Sequence, residues 1–175
     1  MYYEYDAKYE SAFPFLVVAY FEKQKEKYVG QEFIFREGLI DHAKDINTGK
    51  KITVRLGQKW KCTDLTIENQ FYKLSLVLEN SLGEVALLSH DTFVRGFGVF
   101  TTTQADGYAK KFGKTNFDEI LRGNVKIGMT KEMCELSWGE PKNINTTTTA
   151  NRKTEQWVYS GNYLYFRNGV LTTIQ

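Results

Sequence analysis

Apolar and polar positions alternate with a period of two through much of the first hundred residues. Between residues 28 and 100, short apolar clusters recur between turn signals, in the segments EFIF, ITVRL, KWKCTDLTI, FYKLSLVLE and EVALLSHDTFV. Such alternation over a few residues is typical of half-buried strands, so we expect about five short antiparallel strands. Asn47-Thr48-Gly49 and the Asn-Ser-Leu-Gly segment at 80–83 predict turns, because Asn and Gly tolerate positive φ. The pattern predicts a small curled sheet or antiparallel β barrel.

The first 29 residues show no single period. The run from Phe13 to Phe21 is rich in strand formers, whereas the EKQKEK segment from Glu22 to Lys27 suits a solvated face or turn. We expect Phe13 to Phe21 to form a core strand or a helix, and the pattern leaves both open.

Helical spacing begins after the small, polar segment 101–107. Tyr108 and Phe112 lie four residues apart and precede Gly113, a typical helix stop. Because the period changes here, the sequence predicts two units, a β-rich unit at 1–102 and an α+β unit at 103–175.

Two more helices are expected in the second unit. Thr115 is a potential cap for one of them, which ends near Gly123. The other is expected to begin at Thr130 and to end at Gly139, with Pro141 blocking its continuation.

Beyond Pro141 the pattern returns to strands. The threonine-rich segment 145–149 suits an exposed or edge strand, because β-branched residues accept extended geometry. Three further strands are expected at 155–160, 163–167 and 170–174. Asn168-Gly169 separates the last two and is the strongest short hairpin signal. The sequence therefore predicts an α+β fold whose C-terminal unit packs a helical hairpin on an antiparallel β meander.

Charge and hydropathy exclude some classes of partner. The 175 residues carry 23 basic and 21 acidic side chains, spread along the chain, for a net charge of +2. No broad positive field is available for a phosphate backbone, so we expect no nucleic acid partner. No apolar run approaches the roughly 18 residues that a membrane-spanning helix needs, so we expect no transmembrane segment.

Few residues offer chemistry. His42 and His90 are the only histidines, and Cys62 and Cys134 the only cysteines, so the sequence predicts no metal site and no cofactor. We expect both cysteines to be small buried residues, although one bridge between them stays open. A nucleophilic Cys–His pair is the one catalytic arrangement that these residues allow. We predict no catalytic residues.

Two short motifs have simpler explanations than ligand binding. The Asp45-x-Asn47-x-Gly49 pattern begins like a calcium loop, but its glycine is one position early and no glutamate closes it, so we expect a hairpin turn. Gly96-Phe97-Gly98 lacks the third glycine of a dinucleotide fingerprint and predicts a bend or bulge.

The most distinctive surface candidates are the aromatic residues near the C-terminus. Alternation places Trp157 with Tyr159 on one face and Tyr163 with Tyr165 on one face, while Val158, Leu164 and Phe166 form the other face. If helices cover the second face, the Trp and Tyr side chains form an exposed partner-binding face, since these residues are enriched in hot spots. The alternative is that they pack against the N-terminal β unit.

Residues 123–141, GNVKIGMTKEMCELSWGEP, resemble the BamE (SmpA/OmlA) family of bacterial cell-envelope lipoproteins. That family has a glycine, a short extended segment, G-M-T, a helix and G-x-P, then a W-x-Y strand and an F-x-N/D-G turn. The similarity covers about residues 108–175. The motif positions in this chain are Gly123, Gly128, Met129, Thr130, Trp138, Gly139, Pro141, Trp157, Tyr159, Phe166, Asn168 and Gly169. The preceding β-rich unit resembles an SH3-like barrel in its strand count and its Tyr28-Val29-Gly30 start.

The resemblance implies a non-catalytic protein-interaction module of the bacterial cell envelope. It implies a periplasmic location and a protein or cell-wall component as partner. The cytoplasm stays open, because this chain shows neither a signal peptide nor the family's lipid-attachment cysteine. A proteinaceous inhibitor of a hydrolase is the alternative function, since one β-lactamase inhibitor is built from similar folds, and a Cys/His hydrolase is a third. The oligomeric state stays open.

Overall fold

The protein has an α+β fold in which helices and two antiparallel sheets share the chain. A computed structural model describes residues 18–39, 44–52, 54–68, 73–95, 98–150 and 152–175. Within these ranges it contains five helices and nine strands, arranged as a five-stranded and a four-stranded sheet. The predicted α+β class is confirmed. No helix in these ranges is both long and apolar enough to cross a bilayer.

The N-terminal sheet is open in the part of the chain that the structure describes. Its strands follow the order β4-β3-β2-β1-β5, and all neighbours are antiparallel. They are β1 (Glu32–Phe35), β2 (Lys59–Glu68), β3 (Lys73–Asn80), β4 (Val85–Ser89) and β5 (Val99–Thr101). Four of the predicted segments contain β1 to β4, and the turn between β3 and β4 is confirmed. The prediction of a strand in ITVRL is wrong for its described residues, and the fifth strand is β5, which the pattern did not predict. The described strands do not close into a barrel.

Two helices of the N-terminal part were not expected as such. Helix α1 (Val18–Tyr28) includes the end of the Phe13 to Phe21 run and continues through Glu22 to Lys27, and residues 1–17 lie outside the described ranges. Helix α2 (His90–Arg95) occupies the second half of EVALLSHDTFV, where a strand was expected. Tertiary packing overrides the strand-like pattern, because Phe93 enters the core and contacts the ring of Tyr28.

Three helices follow in the C-terminal part: α3 (Thr102–Phe112), α4 (Lys114–Leu121) and α5 (Lys131–Trp138). Thr101 caps α3 through a capping box with Gln104, so most of the expected boundary segment 101–107 is helix. Thr115 does not cap α4. That helix begins one residue earlier, after Gly113, without a side-chain cap. The start of α5 after Thr130 is confirmed.

The C-terminal sheet is the predicted meander. It runs in sequence order through β6 (Asn143–Thr149), β7 (Arg152–Val158), β8 (Tyr163–Arg167) and β9 (Val170–Ile174). Asn168 and Gly169 both have positive φ, 49° and 85°, so the predicted hairpin turn is confirmed. The prediction of an edge strand at 145–149 is also confirmed, since every residue of β6 is exposed.

The two sheets have separate cores that meet at β1 and β5. Ile34 and Phe100 belong to the core of the C-terminal part, although their strands belong to the N-terminal sheet. Arg36 donates from Nη1 to the Ser137 carbonyl at 2.7 Å, and a Cβ at Gly98 would lie 2.8 Å from the Cβ of Arg36. Glycine is therefore needed for this close approach. The division between residues 102 and 103 stays a prediction.

Candidate interaction surface of the C-terminal sheet

The four aromatic candidates lie on different faces of the C-terminal sheet. Trp157 is opposite Leu164 and only 4% exposed, on the face covered by helices. Tyr163 is opposite Val158 and 40% exposed, and Tyr165 is on the same outer face. The expectation that Trp157 shares an exposed face with the tyrosines is wrong, because Trp157 is in phase with the buried residues of β8.

Trp157 helps to hold a buried carboxylate. Its Nε1 donates to Glu155 at 3.0 Å, and Glu155 also bonds Lys131 at 2.8 Å and Lys153 at 2.9 Å. Lys131 is the main cause that lowers the pKa of Glu155 to about 2. This ion cluster joins the start of α5 to β7. Sequence analysis missed it, although Glu155 alternates in phase with Trp157.

Tyr159 secures the end of α5. Its hydroxyl donates to the Gly139 carbonyl at 2.9 Å, and its ring meets the ring of Trp138 edge-on at 5.4 Å. Burial raises the pKa of this hydroxyl. Trp138 in turn donates from Nε1 to the Gly123 carbonyl at 2.8 Å. Trp157 and Tyr159 thus hydrogen-bond within the C-terminal part, and both pack in the core that also includes Ile34 and Phe100 of the N-terminal sheet.

The outer face presents a polar row with tyrosine at its centre. Asn145 donates to Gln156 at 3.0 Å, Gln156 donates to the Tyr165 hydroxyl at 3.0 Å, and that hydroxyl donates to Gln175 at 2.7 Å. Asn143 extends the row by donating to Asn145 at 3.1 Å. Because each side chain is held by its neighbour, the row runs in one arrangement from β6 across β7 and β8 to Gln175, the residue after β9.

The charges on this face are of one sign. Arg152 and Arg167 lie at the end of the face away from Tyr163, as the strand pairing shows. Glu155 is the only acidic residue between Lys142 and Gln175, and it lies on the helix-covered face. The outer face therefore combines tyrosine, amide, threonine and arginine side chains without a carboxylate.

The β9 edge of this sheet is covered by the segment that precedes α5. Gly128 donates its N–H to the Leu171 carbonyl at 2.9 Å, and Leu171 donates its own N–H to the Met129 carbonyl at 2.8 Å. Thr130 pairs with Val170 and caps α5 by accepting from the Met133 N–H. The G-M-T segment thus pairs with β9 as a short strand would, and it satisfies the outward N–H and C=O groups of Leu171.

The β6 edge has no such cover among the described residues. Tyr159 donates to the Asn162 carbonyl and Asn168 to the Lys153 carbonyl, so the odd-numbered residues of β7 direct their backbone groups to β8. The even-numbered residues of β7 therefore bond β6. Their partners are the odd-numbered residues of β6. The residues between those partners, Ile144, Thr146 and Thr148, therefore direct their N–H and C=O groups away from the sheet.

The edges of the N-terminal sheet leave fewer backbone groups open to a partner. β4 is capped at its start, because Val85 donates its N–H to Asp45 at 2.7 Å and its carbonyl accepts from Ile46 at 2.9 Å. The same Asp45 carboxylate accepts from the N–H groups of Asn47 and Thr48, so the turn predicted here is confirmed. β5 has only three residues and leads directly into α3.

The groups considered for catalysis are buried or outside the described ranges. Cys62 and Cys134 are free thiols with no exposed surface, as expected for small core residues. Burial raises the pKa of the Cys62 thiol to about 11 and that of Cys134 to about 12, so both stay protonated at neutral pH. His90 bonds Gln24 at 3.3 Å in the N-terminal core. His42, Gly96 and Phe97 are not among the described residues.

Carboxylates elsewhere border a groove. Glu132, Glu135 and Glu140 line an open groove of about 360 Å³ whose floor includes Phe100 and Tyr108. The described residues contain no group of three His, Cys, Asp or Glu side chains placed to hold a metal ion. We assign this groove no ligand.

Comparison with known proteins identifies no relative of this chain. No family model, no curated protein and no solved structure matches this chain. The geometry of the C-terminal sheet is therefore the basis for assigning a role.

Proposed function

We propose that this protein is a non-catalytic protein-interaction module, and that the outer face of its C-terminal sheet binds the partner. The observation that carries this proposal is the exposed Tyr163 and the half-buried Tyr165 on the outer face of a sheet whose β6 edge is exposed. Tyrosine and arginine are the residue types that most often dominate binding energies at protein interfaces, because they combine apolar area with polar groups.

The charge of the face favours an acidic partner surface. Arg152 and Arg167 lie on it, and no carboxylate of the four strands balances them there. A partner with Asp or Glu at the matching position gains electrostatic complementarity, which mainly increases specificity and the association rate.

The resemblance of residues 108–175 to the BamE family supports a place in the bacterial cell envelope. An SH3-like unit followed by a BamE-like module remains our interpretation of the architecture. Two pairs of the motif residues are joined by hydrogen bonds in this chain, from Trp138 to Gly123 and from Tyr159 to Gly139. These contacts stabilise the fold and are not available to a partner. We therefore assign partner binding to the exposed outer face.

Affinity capture with matched variants tests the proposal. The chain and the double variant Tyr163→Ala/Tyr165→Ala are immobilised and exposed to cell-envelope extract. We expect one protein to be retained by the unmodified chain and to bind the double variant about tenfold or more weakly. The control variant Val94→Ala/Ile127→Ala removes two apolar side chains that are 61% and 70% exposed at other surfaces, and should bind normally.

Two outcomes of this experiment would change the assignment. Equal retention of every protein by all three chains would refute the outer face as the binding site. A captured hydrolase whose activity falls when it binds would redefine the role as that of an inhibitor.

A further inference from the structure

The uncovered edge of β6 fits one occupant especially well. We propose that a second copy of this chain adds its own β6 here, antiparallel, about a two-fold axis at Thr146. This inference rests on the proposed function of the C-terminal sheet as an interaction surface, and it names one partner and its register.

The register follows from the backbone directions. Three residues of β6 point N–H and C=O groups outward, namely Ile144, Thr146 and Thr148. If Thr146 lies opposite Thr146 of the second copy, Ile144 lies opposite Thr148 of that copy, and the reverse holds by symmetry. All of the outward groups of both strands are then paired. A shift by two residues leaves some of them without a partner, so the symmetric register uses the edge most fully.

The side chains of β6 permit this self-pairing. The strand Asn143–Thr149 carries no charge, so two identical edges approach without repulsion. Most edge strands prevent such pairing with lysine, proline or a bulge, and β6 has none of these. Threonine pairs across antiparallel strands are favourable, and the axis places Thr146 against Thr146 of the second copy.

The result is a continuous eight-stranded sheet that carries the outer face twice. The contact consists mainly of two single strands, so it is smaller than the standard interface of about 800 Å² per partner. We therefore expect a reversible, concentration-dependent dimer. Two linked copies of the face would bind a repeated or paired partner more tightly than one copy does.

Disulfide trapping tests the register. Thr146→Cys introduces one exposed thiol, because both natural cysteines are buried. In the proposed dimer the two Cα atoms of residue 146 are about 5.5 Å apart, within the range that a disulfide spans. The control is Thr148→Cys on the same strand and face, whose two copies are about 14 Å apart, four residues at about 3.4 Å each.

We expect Thr146→Cys to form a covalent dimer under mild oxidation at least about tenfold faster than Thr148→Cys, because only the first pair lies within bonding distance. Equal rates for the two variants, or no dimer with either, would overturn the register.

Sedimentation of the reduced chain tests the dimer itself. We expect the average mass to rise toward that of a dimer as the concentration rises. Thr146→Pro and Thr146→Lys should stay monomeric with unchanged circular dichroism, since proline removes only an outward N–H. A natural chain that stays monomeric up to millimolar concentration would refute the dimer.

These outcomes separate the inference from the proposed function. If the natural chain is monomeric but the tyrosine-dependent capture succeeds, the outer face binds a partner and the dimer is wrong. If Thr146→Pro abolishes capture by a monomeric chain, the added strand comes from another protein.

Discussion

The two edges of the C-terminal sheet differ in what covers them. At β9, the segment Gly128–Thr130 bonds both outward groups of Leu171 and anchors α5 on the sheet. At β6, the outward groups of three residues meet no described part of the chain, and every residue of the strand is exposed. The β9 edge is therefore part of the folded structure, whereas the β6 edge is available for binding. The following substitutions test it, from the largest expected effect to the smallest.

Leu171→Ala on β9 should lower the free energy of unfolding by about 3 kcal/mol, because the side chain has no exposed surface and its removal leaves a cavity. Ile144→Ala on β6 removes a similar side chain that is 46% exposed, and should change stability by less than about 1 kcal/mol. Urea unfolding of monomeric samples measures both. Similar losses for the two variants would show that β6 is packed as firmly as β9.

Glu155→Gln should lower the free energy of unfolding by about 2 kcal/mol at pH 7, because Lys131, Lys153 and Trp157 all lose a charged acceptor. Glu132→Gln breaks an exposed pair with Lys111 and should cost less than about 1 kcal/mol.

The effect of Glu155 should depend on pH in one direction. The folded pKa of about 2 lies below the ordinary value of 4.5, so the carboxylate stabilises the fold fully above pH 4.5. The difference between the natural chain and Glu155→Gln should shrink as the pH falls from 4.5 toward 2. A constant difference over this range would mean that Glu155 acts through its shape and not its charge.

Thr130→Ala should cost about 1 kcal/mol, because it removes the N-cap of α5 beside the covered edge. Thr146→Ala on the open edge serves as the control and should change stability by less than about 0.5 kcal/mol. Thermal unfolding at low concentration distinguishes the two. An equal effect would place a stabilising contact at Thr146.

Thr146→Pro should have a small effect on a monomer, below about 1 kcal/mol, because its N–H points away from β7. Thr147→Pro removes an N–H that bonds β7 and should cost at least about 1 kcal/mol more. Urea unfolding of the two variants compares adjacent residues of one strand. Equal losses would contradict the assigned backbone directions.

Local signals were sufficient where the chain's own turns and caps set the structure. β8 and β9 have the bounds that the pattern predicted, because Asn168-Gly169 fixes the hairpin between them. Thr130 and Gly139 likewise mark the ends of α5. The exposed strand β6 followed from its threonines alone.

The position of Trp157 needed the register between strands, which alternation within one strand does not supply. The Gly161-Asn162 turn contains that information, since the bond from Tyr159 to Asn162 places Trp157 opposite Leu164. Helix α1 had a usable signal in Tyr20, Gln24 and Tyr28, which recur every four residues. The burial of Gln24 is explained by its hydrogen bond to His90, which is distant in sequence.

Amide hydrogen exchange, measured by nuclear magnetic resonance on a dilute monomeric sample, tests the contrast between the two edges most directly. We predict strong protection for the Leu171 amide, which donates to Met129, and for the Asn145 and Thr147 amides, which donate to β7. The amides of Ile144, Thr146 and Thr148 should exchange fast, and should gain protection as the concentration rises. Protection of these three amides equal to that of Leu171 in the dilute monomer would contradict the open edge.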